Sequence, residues 1–179
     1  MIRNLTLVVS SLVLLACTPA EQPAESAGDA IDLIVAGDYI VTMDQGLTVI
    51  ENGAVAVDDG VIIAVGTANE KLSQHTALET MPGGGRVVMP GLLNAHHHAA
   101  KTLLRGLADD LALMDWLNNY MFPAEVEFVD AEFVRIGTEL SCWEMIRGGT
   151  TTFVDMYYYP DTIADVIETC GMRALISAT

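Results

Sequence analysis

Three consecutive histidines, His96, His97 and His98, follow the mostly apolar residues 88–95 and are the side chains of this chain best suited to chemistry. Alternate side chains of a β-strand point to the same side, so His96 and His98 can reach one metal ion while His97 points away. An imidazole pair of this kind suits a zinc-type ion that activates water. The pattern therefore indicates part of the metal site of a hydrolase, placed at the end of a strand.

The composition excludes one class of partner. The chain has 179 residues, of which 51% are hydrophobic, and its formal net charge is −16. The hydrophobic fraction is enough for a sizeable core. Binding to nucleic acid needs Lys and Arg side chains against phosphate, and here 8 Lys and Arg residues stand against 24 Asp and Glu residues. We therefore expect no nucleic-acid partner and favour an enzyme that acts on a small molecule.

The N-terminus has the pattern of an export signal. Residues 1–16 carry one cation, Arg3, followed by the apolar residues 5–15, which are too few for a transmembrane helix of about 20 residues. Residues 14–17 end in Cys17 and resemble a lipobox, which predicts lipidation of Cys17 and a membrane-anchored lipoprotein that faces the periplasm. The absence of Asp after Cys17 favours the outer membrane. The alternative is an ordinary cleaved signal peptide with an incidental cysteine.

The residues after the signal fall into three segments. Residues 17–30 are rich in Pro, Ala, Ser and Glu and predict a flexible linker after the lipidated cysteine. Residues 31–86 contain four short apolar runs, at 31–35, 39–43, 50–57 and 61–65. Asp58, Asp59 and Gly60 separate the last two runs and predict a hairpin turn. We expect a small sheet or half-sandwich here, with a turn-rich stretch over residues 66–86.

From Val87 onwards strands and helices alternate. The pattern predicts strands at 87–94, 150–158 and 173–177, and helices at 99–107, 111–120, 125–147 and 160–170. This order builds a parallel sheet and, in its closed eight-fold form, a TIM barrel. Because such a barrel needs about 250 residues, residues 87–179 supply at most its first third.

Two cysteines, Cys142 and Cys170, fall in predicted helices. They can pair as a disulfide in an oxidising compartment. Two separate buried thiols are the commoner arrangement, and the sequence leaves both alternatives open.

Three stretches of the chain resemble the amidohydrolase superfamily, specifically the branch of methylthioadenosine/S-adenosylhomocysteine deaminases and related triazine chlorohydrolases. They are residues 89–100, 103–111 and 144–153. The resemblance covers residues 31–179 and implies an α/β fold, namely the first part of a TIM (β/α)8 barrel preceded by a β-sandwich segment. In this family both chain ends contribute to the sandwich.

The resemblance also implies a site with one divalent metal ion, for which Zn²⁺ is expected. His96 and His98 match the first pair of metal ligands. Two further histidines, an aspartate and the acid/base glutamate are expected beyond Thr179. Trp116 matches a tryptophan that lines the nucleoside pocket, and Glu125 matches a glutamate that binds the ribose hydroxyls. A carboxylate is a natural acceptor for a vicinal diol.

Two positions depart from the family pattern, and they leave the substrate open. His97 stands where the family usually has Thr, and Lys101 stands where it usually has an apolar residue. The hypothesis is a metal-dependent hydrolase of non-peptide C–N bonds that uses a metal-bound hydroxide to deaminate a methylthioadenosine-like or S-adenosylhomocysteine-like nucleoside. The alternatives are a guanine deaminase, a chlorohydrolase, a cyclic-amide hydrolase or an inactive lipid-anchored remnant. We expect residues 1–179 alone to be inactive.

Overall fold

The computed structural model describes residues 30–178. The predicted signal peptide, the predicted lipidation site Cys17 and all but one residue of the predicted linker lie outside this range. Within it, no helix is both long enough and apolar enough to cross a membrane. The strands are β1 Ile31–Val41, β2 Val49–Asp58, β3 Val61–Thr67, β4 Ala77–Met81, β5 Val87–Val88, β6 Leu92–His97, β7 Thr150–Tyr157 and β8 Arg173–Ala178. The α-helices are α1 Ala68–Gln74, α2 Leu113–Trp116, α3 Phe122–Phe128, α4 Ala131–Arg147 and α5 Pro160–Cys170.

The chain divides into two compact units. In its described part, one unit contains residues 30–38 and 51–86, and the other contains residues 39–50 and 87–178. A sheet of order β3-β2-β1-β4, with β5 pairing separately on β1, is built from the first strands, and a second sheet has the order β6-β7-β8.

The first sheet confirms the predicted hairpin, but the elements around it differ from the prediction. Asp59 and Gly60 both have positive φ, 48° and 73°, as a tight two-residue hairpin turn requires. The two runs predicted at 31–35 and 39–43 are one continuous strand, β1. The turn-rich interpretation of residues 66–86 was wrong, because α1 and β4 lie there. β4 is held by parallel pairing with β1, a long-range contact that local propensity does not reveal.

The second sheet confirms the α/β class and the alternation of strands with helices. Its three strands are parallel, and α5 connects β7 to β8. The strand predicted at 87–94 was wrong in its bounds: β5 ends at Val88 and β6 begins only at Leu92 and continues through His97. β5 pairs with β1, whereas β6 pairs with β7, and Pro90, which has no N–H to donate to a sheet, lies between the two strands. Gly91 follows it, and a Cβ there would collide with the Thr151 side chain.

The helical segment between β6 and β7 also differs from the prediction. A 3₁₀ helix spans Ala99–Leu104, and a π-helical turn at Leu117–Met121 joins α2 to α3. The single long helix predicted at 125–147 is broken into α3 and α4. Asp130 causes the break, because its side chain accepts a hydrogen bond of 2.8 Å from the N–H of Phe133 and caps α4.

The core of the second unit fixes the segment that follows the histidines. Ala99 and Ala100 are fully buried and belong to one hydrophobic cluster with Val134 and Phe153. α4 approaches them closely at Gly137, where a Cβ would lie 2.5 Å from the carbonyl oxygen of Ala100. This contact holds the backbone directly after His98 against α4.

Candidate functional site

His96 and His98 lie side by side at the end of β6. Their ring centroids are 5.2 Å apart, with the rings nearly perpendicular. The Nδ1 of His98 lies 2.7 Å from the carbonyl oxygen of Met156. Because a carbonyl only accepts, Nδ1 is the donor of this hydrogen bond, and in the neutral imidazole the lone pair of Nε2 is then free for a metal ion. Histidines that bind metals usually donate their other ring N–H in this way, so the pair fits a zinc-type ion.

His97 points to the helical layer instead. Its Nε2 lies 2.6 Å from the Oγ of Ser141 on α4, and its ring meets Phe153 edge-on at 5.8 Å. Burial lowers the pKa of His97, and the nearby Asp155 carboxylate opposes this effect. His97 therefore ties β6 to α4, while its two neighbours face the other way.

Asp155 supports the turn that follows His98. It is fully buried on β7, and its Oδ1 accepts a hydrogen bond of 3.2 Å from the backbone N–H of Ala99. Burial raises the pKa of Asp155, against the lowering effects of that N–H and of the imidazoles of His97 and His98. The strand predicted at 150–158 contains Asp155 but assigns it no role, and in the structure Asp155 holds this backbone.

Glu125 is a buried residue whose carboxylate accepts from two donors. Only 6% of the residue is exposed. Its Oε1 accepts from the ammonium of Lys101 at 2.9 Å and from the hydroxyl of Tyr157 at 3.0 Å. Burial raises the pKa of Tyr157, and the negative charge of Glu125 adds to the rise. His98, Lys101, Glu125 and Tyr157 together line a cavity of about 200 Å³.

Trp116 also lies close to Lys101. The Lys101 ammonium is 5.9 Å from the Trp116 ring centroid and 5.5 Å from that of Tyr157, within the range of cation–π attraction. His96, His98, Lys101 and Trp116 line a second cavity of about 380 Å³. Because His98 and Lys101 border both cavities, the structure brings all four predicted site residues, His96, His98, Trp116 and Glu125, around Lys101.

Tyr157 is the site residue that sequence reasoning missed. It stands two positions after Asp155 on β7, which repeats the spacing of His96 and His98 at the end of β6. That repeated spacing of polar side chains at neighbouring strand ends was the available signal.

The described residues do not form a complete metal shell by themselves. Within residues 30–178, no group of three or more His, Cys, Asp or Glu side chains is placed to hold a metal ion. His96 and His98 thus contribute two imidazoles, and a closed tetrahedral or five-coordinate shell needs ligands from elsewhere.

The chain is similar to known proteins in both sequence and structure. Residues 87–179 match the model of the amidohydrolase family. The 5-methylthioadenosine/S-adenosylhomocysteine deaminase 1 of Syntrophus aciditrophicus is 45% identical over 146 residues, which are 82% of this chain and 33% of that protein. The crystal structure of an adenosine deaminase from Xanthomonas campestris with bound zinc superimposes with a TM-score of 0.79 at 41% identity, over 82% of this chain and 33% of that one.

A structure with lower sequence identity has the same fold. The triazine hydrolase of Arthrobacter aurescens superimposes with a TM-score of 0.74 at 21% identity, over 82% of this chain and 35% of that one. At this identity the likeness concerns the fold alone. The chain spans about a third of the length of the relatives that it matches.

Proposed function

The chain belongs to the amidohydrolase family, and from that premise we propose that the full-length protein is a metal-dependent aminohydrolase that deaminates an adenosine-type nucleoside. The named deaminase relatives, at 45% identity, support this reaction class. The structural observation that carries the proposal is the grouping of His96, His98, Trp116 and Glu125 around Lys101. Strands β6, β7 and β8 would be the first three strands of a closed TIM barrel, with residues 31–86 as part of a β-sandwich.

His96 and His98 would hold the metal ion, and Zn²⁺ is the ion that we propose. Their nitrogen donors suit zinc, and a zinc ion is bound in the related Xanthomonas campestris deaminase. When bound, such an ion lowers the pKa of a coordinated water and so supplies a nucleophile near neutral pH. The Met156 carbonyl keeps the His98 ring oriented with its Nε2 free. Two further histidines, an aspartate and a general acid/base glutamate would come from the remainder of the protein.

Trp116, Glu125 and Lys101 would bind the nucleoside. The half-buried Trp116 ring offers a face on which the purine can stack. The Glu125 carboxylate can accept hydrogen bonds from ribose hydroxyls, and Lys101 can donate one to a hydroxyl oxygen. Methylthioadenosine and S-adenosylhomocysteine are the substrates that we propose first.

Substrate profiling of the zinc-loaded full-length protein tests the proposal. We expect release of ammonia from methylthioadenosine or S-adenosylhomocysteine with a kcat/KM at least about 100-fold above that for guanine or atrazine, which is about 2.7 kcal/mol of discrimination. A higher kcat/KM with guanine or atrazine would replace the nucleoside with another substrate of the family. No turnover of any of these compounds by zinc-loaded protein would support the remnant alternative.

We also propose that the protein is exported and anchored through a lipid on Cys17. The support is the order of Arg3, the apolar residues 5–15 and the lipobox-like residues 14–17. Radiolabelled palmitate should enter the full-length protein in a Gram-negative host, and the label should sediment with the outer membrane. Cys17→Ser should abolish labelling. Labelling that persists in this variant would contradict the assignment.

A further inference from the structure

Cys142 on α4 and Cys170 on α5 face each other with their sulfur atoms 2.8 Å apart. Both are free thiols, the first buried and the second half-buried. We propose that this pair is an oxidation site, at which a disulfide compound converts the two thiols into a covalent cross-link between α4 and α5. The inference is independent of the proposed deaminase activity.

The two sulfur atoms are already closer than non-bonded sulfurs normally come. They need to approach by only about 0.8 Å more to reach the S–S bond length of about 2.05 Å. Cys170 lies in the last turn of α5, where its thiol also contacts the carbonyl oxygen of Ile167 at 3.4 Å. We expect side-chain rotation at this helix end to supply the closing movement. Of the two arrangements that the sequence left open, the structure shows two unbonded thiols, which lie in direct contact.

A small oxidant can reach the pair. Both cysteines border a cavity of about 470 Å³, together with Trp143 and Thr162. Cys170 is the more exposed thiol. Burial raises the pKa of Cys142, and its contact with Cys170 adds to the rise, so Cys142 is the poorer first nucleophile.

The chemistry balances with a disulfide such as oxidised glutathione as the oxidant. The thiolate of Cys170 attacks one glutathione sulfur, the glutathione S–S bond breaks, and a first glutathione thiolate leaves. The thiolate of Cys142 then attacks the Sγ of Cys170 and displaces the second glutathione thiolate. In total the two protein thiols lose two electrons and two protons. The glutathione disulfide takes up the two electrons, and the two glutathione thiolates that leave take up the two protons.

The cross-link would stiffen the part of the molecule that carries the site. It closes a loop from residue 142 to residue 170, which contains β7 with Asp155 and Tyr157. Cys142 also follows Ser141, the partner of His97. Disulfides stabilise mainly by restricting the unfolded chain. For this loop in a full-length protein as long as its relatives, of which the matched part of this chain covers 33%, we expect a Tm increase of about 5 °C.

Peptide mapping of the full-length protein tests the site directly. Trypsin cleaves after Arg135, Arg147 and Arg173, which places the two cysteines in separate peptides, 136–147 and 148–173. After incubation with oxidised glutathione, we expect a linked species of these two peptides by mass spectrometry. It should disappear on reduction, and Tm should fall by about 5 °C with it.

Single variants separate the cross-link from other oxidation. Cys142→Ala and Cys170→Ala should both lack the linked species and should show the same Tm in oxidised and reduced glutathione. Because Cys142→Ala alters a buried position and can fold poorly, Cys170→Ala at the half-buried position is the decisive variant. Recovery of both cysteines as free thiols, or of glutathione held on Cys170 alone, after prolonged oxidation of the wild type would overturn the proposal.

Discussion

The ammonium of Lys101 lies 2.9 Å from Oε1 of Glu125, with only 20% and 5% of the two side chains exposed. The same carboxylate oxygen accepts a hydrogen bond from Tyr157. The carboxylate predicted to bind a ribose is therefore held in place by a cation before any ligand arrives. Lys101 is also one of the two positions at which the chain departs from the family pattern, so this departure contacts the carboxylate that we propose as the ribose-binding group.

The first prediction is that Lys101 and Glu125 stabilise the fold as a unit. Removal of one partner leaves an uncompensated, largely buried charge, so Lys101→Met and Glu125→Gln should each lower the free energy of unfolding by about 3 kcal/mol. The double variant should lose at least about 1 kcal/mol less than the sum of the two. Urea denaturation of the full-length protein measures this cycle.

An exposed ion pair serves as the control. Arg135 and Glu132 on α4 are separated by 2.6 Å but remain largely in solvent. The same cycle with Arg135→Gln and Glu132→Gln should give a coupling close to zero. Equal couplings for the two pairs would show that burial does not strengthen the Lys101–Glu125 interaction.

The second prediction uses the three adjacent histidines as matched variants. His96→Asn and His98→Asn should weaken zinc binding by the full-length protein more than about 100-fold, since loss of a ligand exceeds the effect of losing a supporting hydrogen bond. His97→Asn should keep the zinc content, because its ring contacts Ser141 and Phe153. Zinc per protein after dialysis against a chelator buffer measures the difference. Similar zinc loss in all three variants would remove the assignment of His96 and His98.

Local sequence signals predicted the parts of the fold that depend on neighbouring residues. Pro160 at the start and Gly171 after the end define α5 at the predicted bounds, and Gly171 has the left-handed φ of 73° that ends helices. The hairpin at Asp59 and Gly60 follows equally local rules. In contrast, β4 depends on pairing with β1, and the apolar period that runs through Asp130 concealed the break between α3 and α4.

In the site, too, local sequence patterns predicted some features, and long-range packing determines the others. The opposite orientations of His97 and its two neighbours follow from strand alternation alone. The contact of Glu125 with Tyr157 joins residues 32 positions apart, and Lys101 comes from a third segment. No pattern along the chain specifies such a meeting, because it depends on how α3 packs beside β7 and the 3₁₀ helix.

The third prediction concerns Gly137, at the contact between α4 and the segment after His98. In an exposed helix interior, a change from Gly to Ala stabilises by about 1 kcal/mol. A Cβ at Gly137 would lie 2.5 Å from the oxygen and 2.8 Å from the Cα of Ala100. Gly137→Ala should therefore lower the free energy of unfolding by about 1–3 kcal/mol. Gly46→Ala, with Thr48 Oγ1 3.4 Å away, should change it by less than about 0.5 kcal/mol. A stabilised Gly137→Ala variant would contradict the close approach.

The fourth prediction is a pH dependence from Glu144. Arg105 binds both of its carboxylate oxygens, at 2.6 Å and 3.0 Å, and this hydrogen bonding lowers the pKa of Glu144 from its ordinary value of 4.5. A lowered pKa in the folded state gives stability that is present above about pH 4.5 and is lost as pH falls through the folded value. Tm should therefore fall less steeply below pH 4.5 in Glu144→Gln than in the wild type. The difference should shrink in 1 M salt, which screens exposed charges. Parallel curves at low salt would contradict the ion pair.

The last prediction tests Glu125 as the residue that binds ribose hydroxyls. A hydrogen bond to a charged group contributes about 1.5–3 kcal/mol, so Glu125→Gln in the full-length protein should lower kcat/KM for methylthioadenosine by about 10–100-fold. 2′,3′-Dideoxyadenosine lacks the diol, and its kcat/KM should change by less than about 3-fold. Tyr157→Phe is the matched control, because it removes a donor to Oε1 but keeps the carboxylate, and it should affect the two nucleosides alike. Equal losses for both nucleosides in Glu125→Gln would assign Glu125 to the support of Lys101 and the fold instead of to the substrate.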